Sequence, residues 1–258
     1  MNTDVRPAAE AAFYPDSDGQ PMADNTLQWD WMVKIVGELR EVFAGQQVFV
    51  AGDLLWYPVE GEPKIRTAPD ALVAFGRPPG YRGSYRQWDE AGVAPQVVFE
   101  VLSPSNTRDE MREKLRWYQR FGVQEYYLID PYKPRVFGWL REDDRLETVV
   151  PMDGFVSPRL GVRFEENGEV KLFAPDGHEF RTREERVREI QEELYKTGEA
   201  FEEQRERAVA ERNRADEATA RAEVATIRAE RERAAKEMLM AKLRDLGVDP
   251  DDVLKPAG

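Results

Sequence analysis

The sequence predicts an α/β fold, an α+β mixed sheet with flanking helices and a long charged helix toward the C-terminus. Three observations carry this reading. An amphipathic helical pattern precedes a series of short β-rich runs, a second helical pattern crosses between two of those runs, and near Arg181 the composition shifts to Glu, Arg and Ala. Residues 1–25 mix prolines, acids and small residues without a period and read as a flexible arm. From there Leu27, Trp31, Ile35, Leu39, Val42 and Phe43 recur near helical spacing, which predicts a helix over 27–44 ended by Gly45. Strands are predicted at 47–51, 54–58, 65–67, 71–75 and 96–102. The last two flank a long loop with three arginines and three aromatic residues.

Asn106 is placed to cap the next helix, TRDEMREKLRWYQRFG, with Asp109 in its first turn and Gly122 at its end. Further strands are predicted at 124–130 and 135–141, then near 145–150, 162–165 and 170–173. Residues 26–180 therefore read as one domain, 181–248 as a long helix and 249–258 as a tail. At ~1.5 Å per residue that helix would run roughly 70 Å. Leu194, Phe201, Ala208, Ala215, Ala222 and Ala229 recur every seventh residue, so its seam is mostly alanine. A weak coiled coil, a solvated rod and an element formed with a partner all fit that seam.

The 258 residues include 37 basic and 50 acidic side chains, a net charge of −13. Residues 1–62 hold eleven acids against three bases, whereas 100–145 carry nine of each sign. The absence of cysteine excludes disulfides, thiolate metal sites and a cysteine nucleophile, and with the single histidine His178 a multi-imidazole metal site cannot form within one chain. Any metal would be held by oxygen. The sequence has no apolar run near eighteen residues and no signal-like start, which reads as a soluble, cytoplasmic protein.

Within PQVVFEVLS, alternation places Val98, Glu100 and Leu102 on one strand face, so a carboxylate interrupts an apolar surface. Burial of that charge demands a metal, a cationic partner or a raised pKa. Asp70 opens the run ALVAF in the same way. Lys114 lies beside the apolar stripe of Met111, Leu115, Tyr118 and Phe121 on the following helix, within reach of the sheet edge where Glu100 emerges. Two acids and an ammonium converging from two strands and a helix suit a hard divalent cation and an anionic phosphate.

Pro69-Asp70, Glu100 in a strand and Lys114 in the next helix resemble the PD-(D/E)xK nuclease superfamily. More narrowly, APDALVAFG and QVVFEVLSPSNTRDEMREKLRWYQRFGVQEYYLIDP resemble the Uma2 family of restriction-endonuclease-like domains, over residues 27–175. The resemblance implies a restriction-endonuclease-like core and Mg²⁺ (or Mn²⁺) held by Asp70, Glu100 and the backbone carbonyl of Val101. It also implies hydrolysis of DNA phosphodiester bonds. In the superfamily pattern the lysine lies two residues after the strand acid, where this chain has Leu102, so Lys114 takes its place as the electrostatic catalyst. Glu38, Asp53, Ser103 and Ser105 are accessory candidates, and His178 is assigned no role.

DNA would have to meet a local basic patch in so anionic a chain, for which Arg77, Arg82, Arg86, Arg112 and Arg116 are candidates. Tyr81, Tyr85 and Trp88 in the same loop would stack on bases or fill a core. A homodimer through the long helix fits a nuclease that cuts two strands. The other reading is a non-catalytic scaffold whose helix binds a partner.

Overall fold

The computed structural model describes residues 13–17, 19, 21–247 and 249, and divides into two compact units after Arg188. The first unit is built on a six-stranded sheet. Its strands are β1 (Val48–Ala51), β3 (Ala71–Phe75), β5 (Val97–Val101), β6 (Glu125–Asp130), β7 (Arg135–Glu142) and β8 (Arg145–Val149), in the order β1-β3-β5-β6-β7-β8. Two further pairs are β2 (Trp56–Tyr57) with β4 (Tyr85–Arg86), and β9 (Arg163–Glu166) with β10 (Val170–Phe173). The helices are α1 (Thr26–Val42), α2 (Arg108–Arg120) and α3 (Arg183–Asp245).

All pairs in the large sheet are antiparallel except β5 with β6. A parallel neighbour requires a crossover, and α2 supplies it. Val97, Phe99 and Val101 pack on one side with Ile35 and Leu39 of α1 and Phe164 of β9. Val98 packs on the other side with Tyr118 of α2, Trp56, Tyr85 and Tyr126. The central strands are covered on both faces, which is why they read as nearly unbroken apolar runs.

Four local expectations change. No strand forms at 65–67, where Thr67 makes a single bridge to Trp56. The loop after β3 contains β4, two residues whose place in a sheet rests on pairing with β2 rather than on any pattern of their own. The α2 cap is Thr107, not Asn106: Thr107 accepts from the Glu110 N–H while the Glu110 carboxylate accepts from the Thr107 N–H. Asn106 instead accepts from the Ser103 N–H at 2.9 Å. Finally, α1 turns the expected Ile35 and Leu39 inward, with Trp31, Val42 and the following Phe43 half-buried against the same core, but it also buries Gln28, Met32 and Glu38 and leaves Leu27 exposed, so its inward face carries polar residues beside the expected stripe.

Within the arm expected over 1–25, Tyr14 packs on Tyr57 at 5.2 Å and on Trp88 at 4.9 Å, and the Tyr57 hydroxyl donates to the Pro15 carbonyl. Residues 1–12, 18 and 20 lie outside the described ones, as does the expected tail apart from Asp249. Helix α3 has 63 residues and buries none of them. Its backbone is supported locally by Arg–Glu pairs four residues apart, including Arg221–Glu217 at 3.5 Å and Arg233–Glu237 at 3.2 Å. Among the described residues no helix is long and apolar enough to cross a membrane.

Candidate active site

Cross-strand register brings the two central carboxylates together. Ala71 pairs with Phe99 and Leu72 with Val98, so one further step sets Asp70 opposite Glu100 on the face shared by Leu72 and Val98. Gly52 lets the end of β1 approach this turn, since a Cβ there would sit 3.0 Å from the Asp70 carbonyl oxygen. Like charges facing each other across a sheet are destabilising, and both residues are buried, with Asp70 9% and Glu100 2% exposed. The arrangement persists because each carboxylate has dedicated donors.

Glu100 is held at both oxygens. Lys114 reaches in from α2 and places Nζ 2.7 Å from Oε2, and the buried Tyr118 hydroxyl donates to Oε1. Burial draws the Lys114 pKa down, but the charges of Glu100 and Asp70 outweigh it and hold the ammonium above its ordinary 10.5. Burial, and then the Glu100 charge, push the Tyr118 hydroxyl well above its usual value, so it remains a donor.

Asp70 accepts at Oδ2 from the Val101 N–H at 2.6 Å and, more distantly, from Gln28 Nε2 at 3.5 Å. Burial first, and the Glu100 charge second, raise its pKa from 3.8 to about 7. Gln28 Nε2 also donates to the Val101 carbonyl at 3.1 Å, and its Oε1 accepts from the Asp24 N–H at 2.9 Å. A single amide in the first turn of α1 thus organises the open end of β5.

The accessory candidates divide. Asp53 follows β1 with φ 47° and its N–H donates to the Pro69 carbonyl, which sets its backbone beside the turn that carries Asp70. Both Ser103 and Ser105 donate to Asp24, whose carboxyl they hold below its usual 3.8. They therefore tie the approach to α1 onto the loop after β5 instead of facing a phosphate.

Glu38 is not brought to the pair. It is fully buried elsewhere and accepts from His178 Nε2 at 2.9 Å and the Arg181 N–H at 2.9 Å, with Arg186 at 3.6 Å. His178, with no role expected, is a tether between α1 and the segment leading into α3. The hydrogen bond to Glu38 raises the His178 pKa above 6.5 in spite of partial burial. A raised folded-state pKa gives stability that is complete below about pH 6.5 and is lost as pH rises through the folded value. The melting-temperature gap between wild type and His178→Gln is therefore expected to be widest near pH 5.5 and to narrow toward about pH 8.5. A gap independent of pH would assign the tether to packing alone.

The expected arginine patch is largely engaged within the protein. Arg82 pairs with Glu90 and lies over the Phe49 ring, Arg86 lies over Tyr14, and Arg77 Nε donates to the neighbouring Gly76 carbonyl. Tyr85 is buried, whereas Tyr81 is 95% exposed. On α2, Arg112 pairs with Asp109 at the surface and Arg116 is exposed.

The model of the Uma2 family, described as "Putative restriction endonuclease", matches residues 21–171, more than half of the chain. The chain belongs to the Uma2 family. Among solved structures it is similar to "a putative nuclease belonging to DUF820 from Anabaena variabilis ATCC 29413", with 18% identity, a TM-score of 0.39, and coverage of 52% of this chain and 72% of that one. Among curated proteins none matches. The Uma2 match spans the whole path from α1 to the start of β10, so Gln28, Asp70, Glu100 and Lys114 all lie inside it.

The Uma2 site fits a hard divalent cation by its donors. Asp70, Glu100 and the Val101 carbonyl present oxygen alone, and the two Glu100 oxygens and the Val101 carbonyl, each accepting one of these hydrogen bonds, keep a second lone pair. Two buried carboxylates share one ammonium, an excess of negative charge that a cation would offset. The Tyr126 hydroxyl, in the field of both carboxylates, is buried without a hydrogen-bond partner among the described residues, and a hydrated cation would supply one. Among the described residues no group of three or more acidic or histidine side chains gathers as a cation site, so a cation held by this pair would take any third protein ligand from another kind of group, for which the Val101 carbonyl is the candidate.

Proposed function

We propose that this Uma2 chain is a divalent-cation-dependent endonuclease that hydrolyses phosphodiester bonds of DNA. The observation carrying this reading is the buried Asp70–Glu100 pair on adjoining strands, with the Lys114 ammonium on Glu100 and the side chain still 31% exposed. Asp70, Glu100 and the Val101 carbonyl would hold Mg²⁺ or Mn²⁺. When bound, the cation supplies Lewis-acid charge toward a phosphoryl oxygen and toward activation of water. Lys114 contributes positive charge at the mouth of the site, where it offsets charge developing on the phosphate. Tyr118 and Gln28 orient the two acids and keep their oxygens aimed.

Cleavage of supercoiled plasmid and of single-stranded DNA with Mg²⁺ or Mn²⁺ tests this. Lys114→Ala is expected to lower the rate about 10²–10³-fold, the usual cost of removing one charge-stabilising donor. Unchanged cleavage would remove Lys114 from the mechanism. Failure of folded wild type to cut any nucleic acid would favour the scaffold reading, for which Leu194, Phe201 and Val209 exposed along α3 are the supporting observation. In either reading we assign the exposed α3 helix to assembly, as a homodimer or with a partner.

A further inference from the structure

The face of the sheet that carries the two acids continues away from them as a groove. The register runs Glu100 opposite Leu128 and Leu128 opposite Phe137, so the row through Glu100 crosses β6 and reaches β7. At about 4.8 Å per strand, Phe137 stands roughly 10 Å from Glu100 along the sheet. Leu128 and Phe137 belong to a groove of about 1170 Å³ between this face and α2. That volume lies near the upper end of the ~300–1,000 Å³ of ordinary small-ligand sites and is open to solvent, so a length of polymer fits it.

The floor of the groove is aromatic. Phe137 and Trp139 are near-parallel at 6.5 Å, Trp139 stacks on Tyr126 at 4.9 Å, and Tyr126 packs against Tyr118, the donor to Glu100. The outer end is open, with Phe137 39% and Tyr132 46% exposed. Its rim is basic: Arg108 and Arg112 come from α2, Lys133 and Arg135 from the β6–β7 turn and β7. Asp130 is the one acid lining it among the described residues, and its Oδ1 already accepts from the Tyr132 and Lys133 N–H groups. The Arg112–Asp109 pair is surface-exposed and so costs little to exchange.

We infer that this groove binds an unpaired nucleic-acid strand, stacking its bases on Phe137 and Tyr132 and pairing its phosphates with Arg108, Arg112, Lys133 and Arg135, along the sheet row that ends at Glu100. Exposed aromatic rings inside a cationic rim are the chemistry of single-strand binding, since every base offers a π-face while a duplex keeps its bases stacked away. In a chain of net charge −13, four cations against Asp130 in the lining and Asp109 beside Arg112 form a local reversal that points to a polyanion. The inference rests on the nuclease reading for where the strand leads, but binding itself does not require the cation.

The test is fluorescence anisotropy of the full chain with a labelled oligothymidine and with a duplex of the same length, in EDTA and over a range of salt. Wild type is expected to bind the single strand at least about tenfold more tightly than the duplex. Tyr132→Ala with Phe137→Ala should weaken single-strand binding roughly 5- to 100-fold. Arg112→Ala with Arg135→Ala should weaken it and lower the salt slope by about 0.7 for each phosphate no longer neutralised. The four side chains lie at the surface, and unchanged melting temperatures would show the variants folded. Aromatic variants that bind like wild type, equal losses on single strand and duplex, or groove variants that change self-association and not DNA binding would each overturn the groove assignment. Preferential single-strand binding in EDTA without cleavage in Mg²⁺ would support the groove while sinking the nuclease reading, and cleavage with no effect of the groove variants would do the reverse.

Discussion

Glu100→Gln is expected to abolish cation-dependent cleavage, by at least about 10²–10³-fold, while leaving the fold intact. The amide keeps the shape of the side chain, and its oxygen still accepts from the Tyr118 hydroxyl, so the packing of α2 on β5 survives. What disappears is the charge that attracts both the cation and Lys114. Lys114 is not stranded by the change, because its side chain is 31% exposed and can solvate its ammonium. Circular dichroism and melting establish folding, and the plasmid assay gives the rate. Persistent cleavage by the folded variant would move the chemistry away from this pair.

Asp70→Asn separates two consequences of the same buried charge. Without a cation, the folded-state pKa of about 7 lies above the ordinary 3.8. The native state therefore holds the proton more tightly than the unfolded chain, and the ionised side chain opposes folding increasingly as pH rises from about 4 to about 7, then by a constant amount. Removing that charge should raise the melting temperature by several degrees at pH 8 in EDTA, because 1 kcal/mol corresponds to about 2–4 °C at this domain size. Wild type should gain from Mn²⁺ by mass action, about 2.7 kcal/mol at a concentration 100 times the Kd, and the variant should gain little. The same substitution thus stabilises the metal-free protein and blunts its response to metal. A variant that is less stable in EDTA yet still stabilised by Mn²⁺ would contradict the site.

The end of the first unit allows a further check on the chain's architecture. Arg181 and Arg186 supply partners to Glu38, and Glu185 pairs with Lys34 at 3.3 Å. A chain ending after Arg188 is expected to melt close to the full-length protein, whereas one ending before Arg181 loses donors to a buried carboxylate and melts lower. Equal melting of the two truncations would show the tether to be dispensable.

Much of this was legible in the residues themselves. Alternation along PQVVFEVLS put Glu100 on an apolar face, and helical spacing put Lys114 beside the stripe that covers that face, because both periodicities follow from backbone geometry. Gln28 and Tyr118 were not legible as site residues. Tyr118 is indistinguishable in sequence from its apolar stripe neighbours, and Gln28 carried a weak signal: it stands four and seven residues before Met32 and Ile35, a polar residue in line with a buried stripe. Thr107 displaced Asn106 as the cap because its reciprocal bond with Glu110 satisfies two backbone donors, while Asn106 serves the turn before it.

Local pattern by itself marked the three helices, most of the strands of the large sheet, the long charged C-terminal segment and Asp70, Glu100 and Lys114 as candidates, since these depend on neighbours a few residues away. Tertiary structure decided what depends on pairing across distance: that register sets Asp70 against Glu100, that Glu38 is spent on His178 and Arg181 rather than on the site, and that Phe137 and Arg135 extend the same sheet face into a basic groove. Side-chain period tells which face a residue takes, but which residue stands beside it on the next strand is set by strand order and register, and those are properties of the folded sheet.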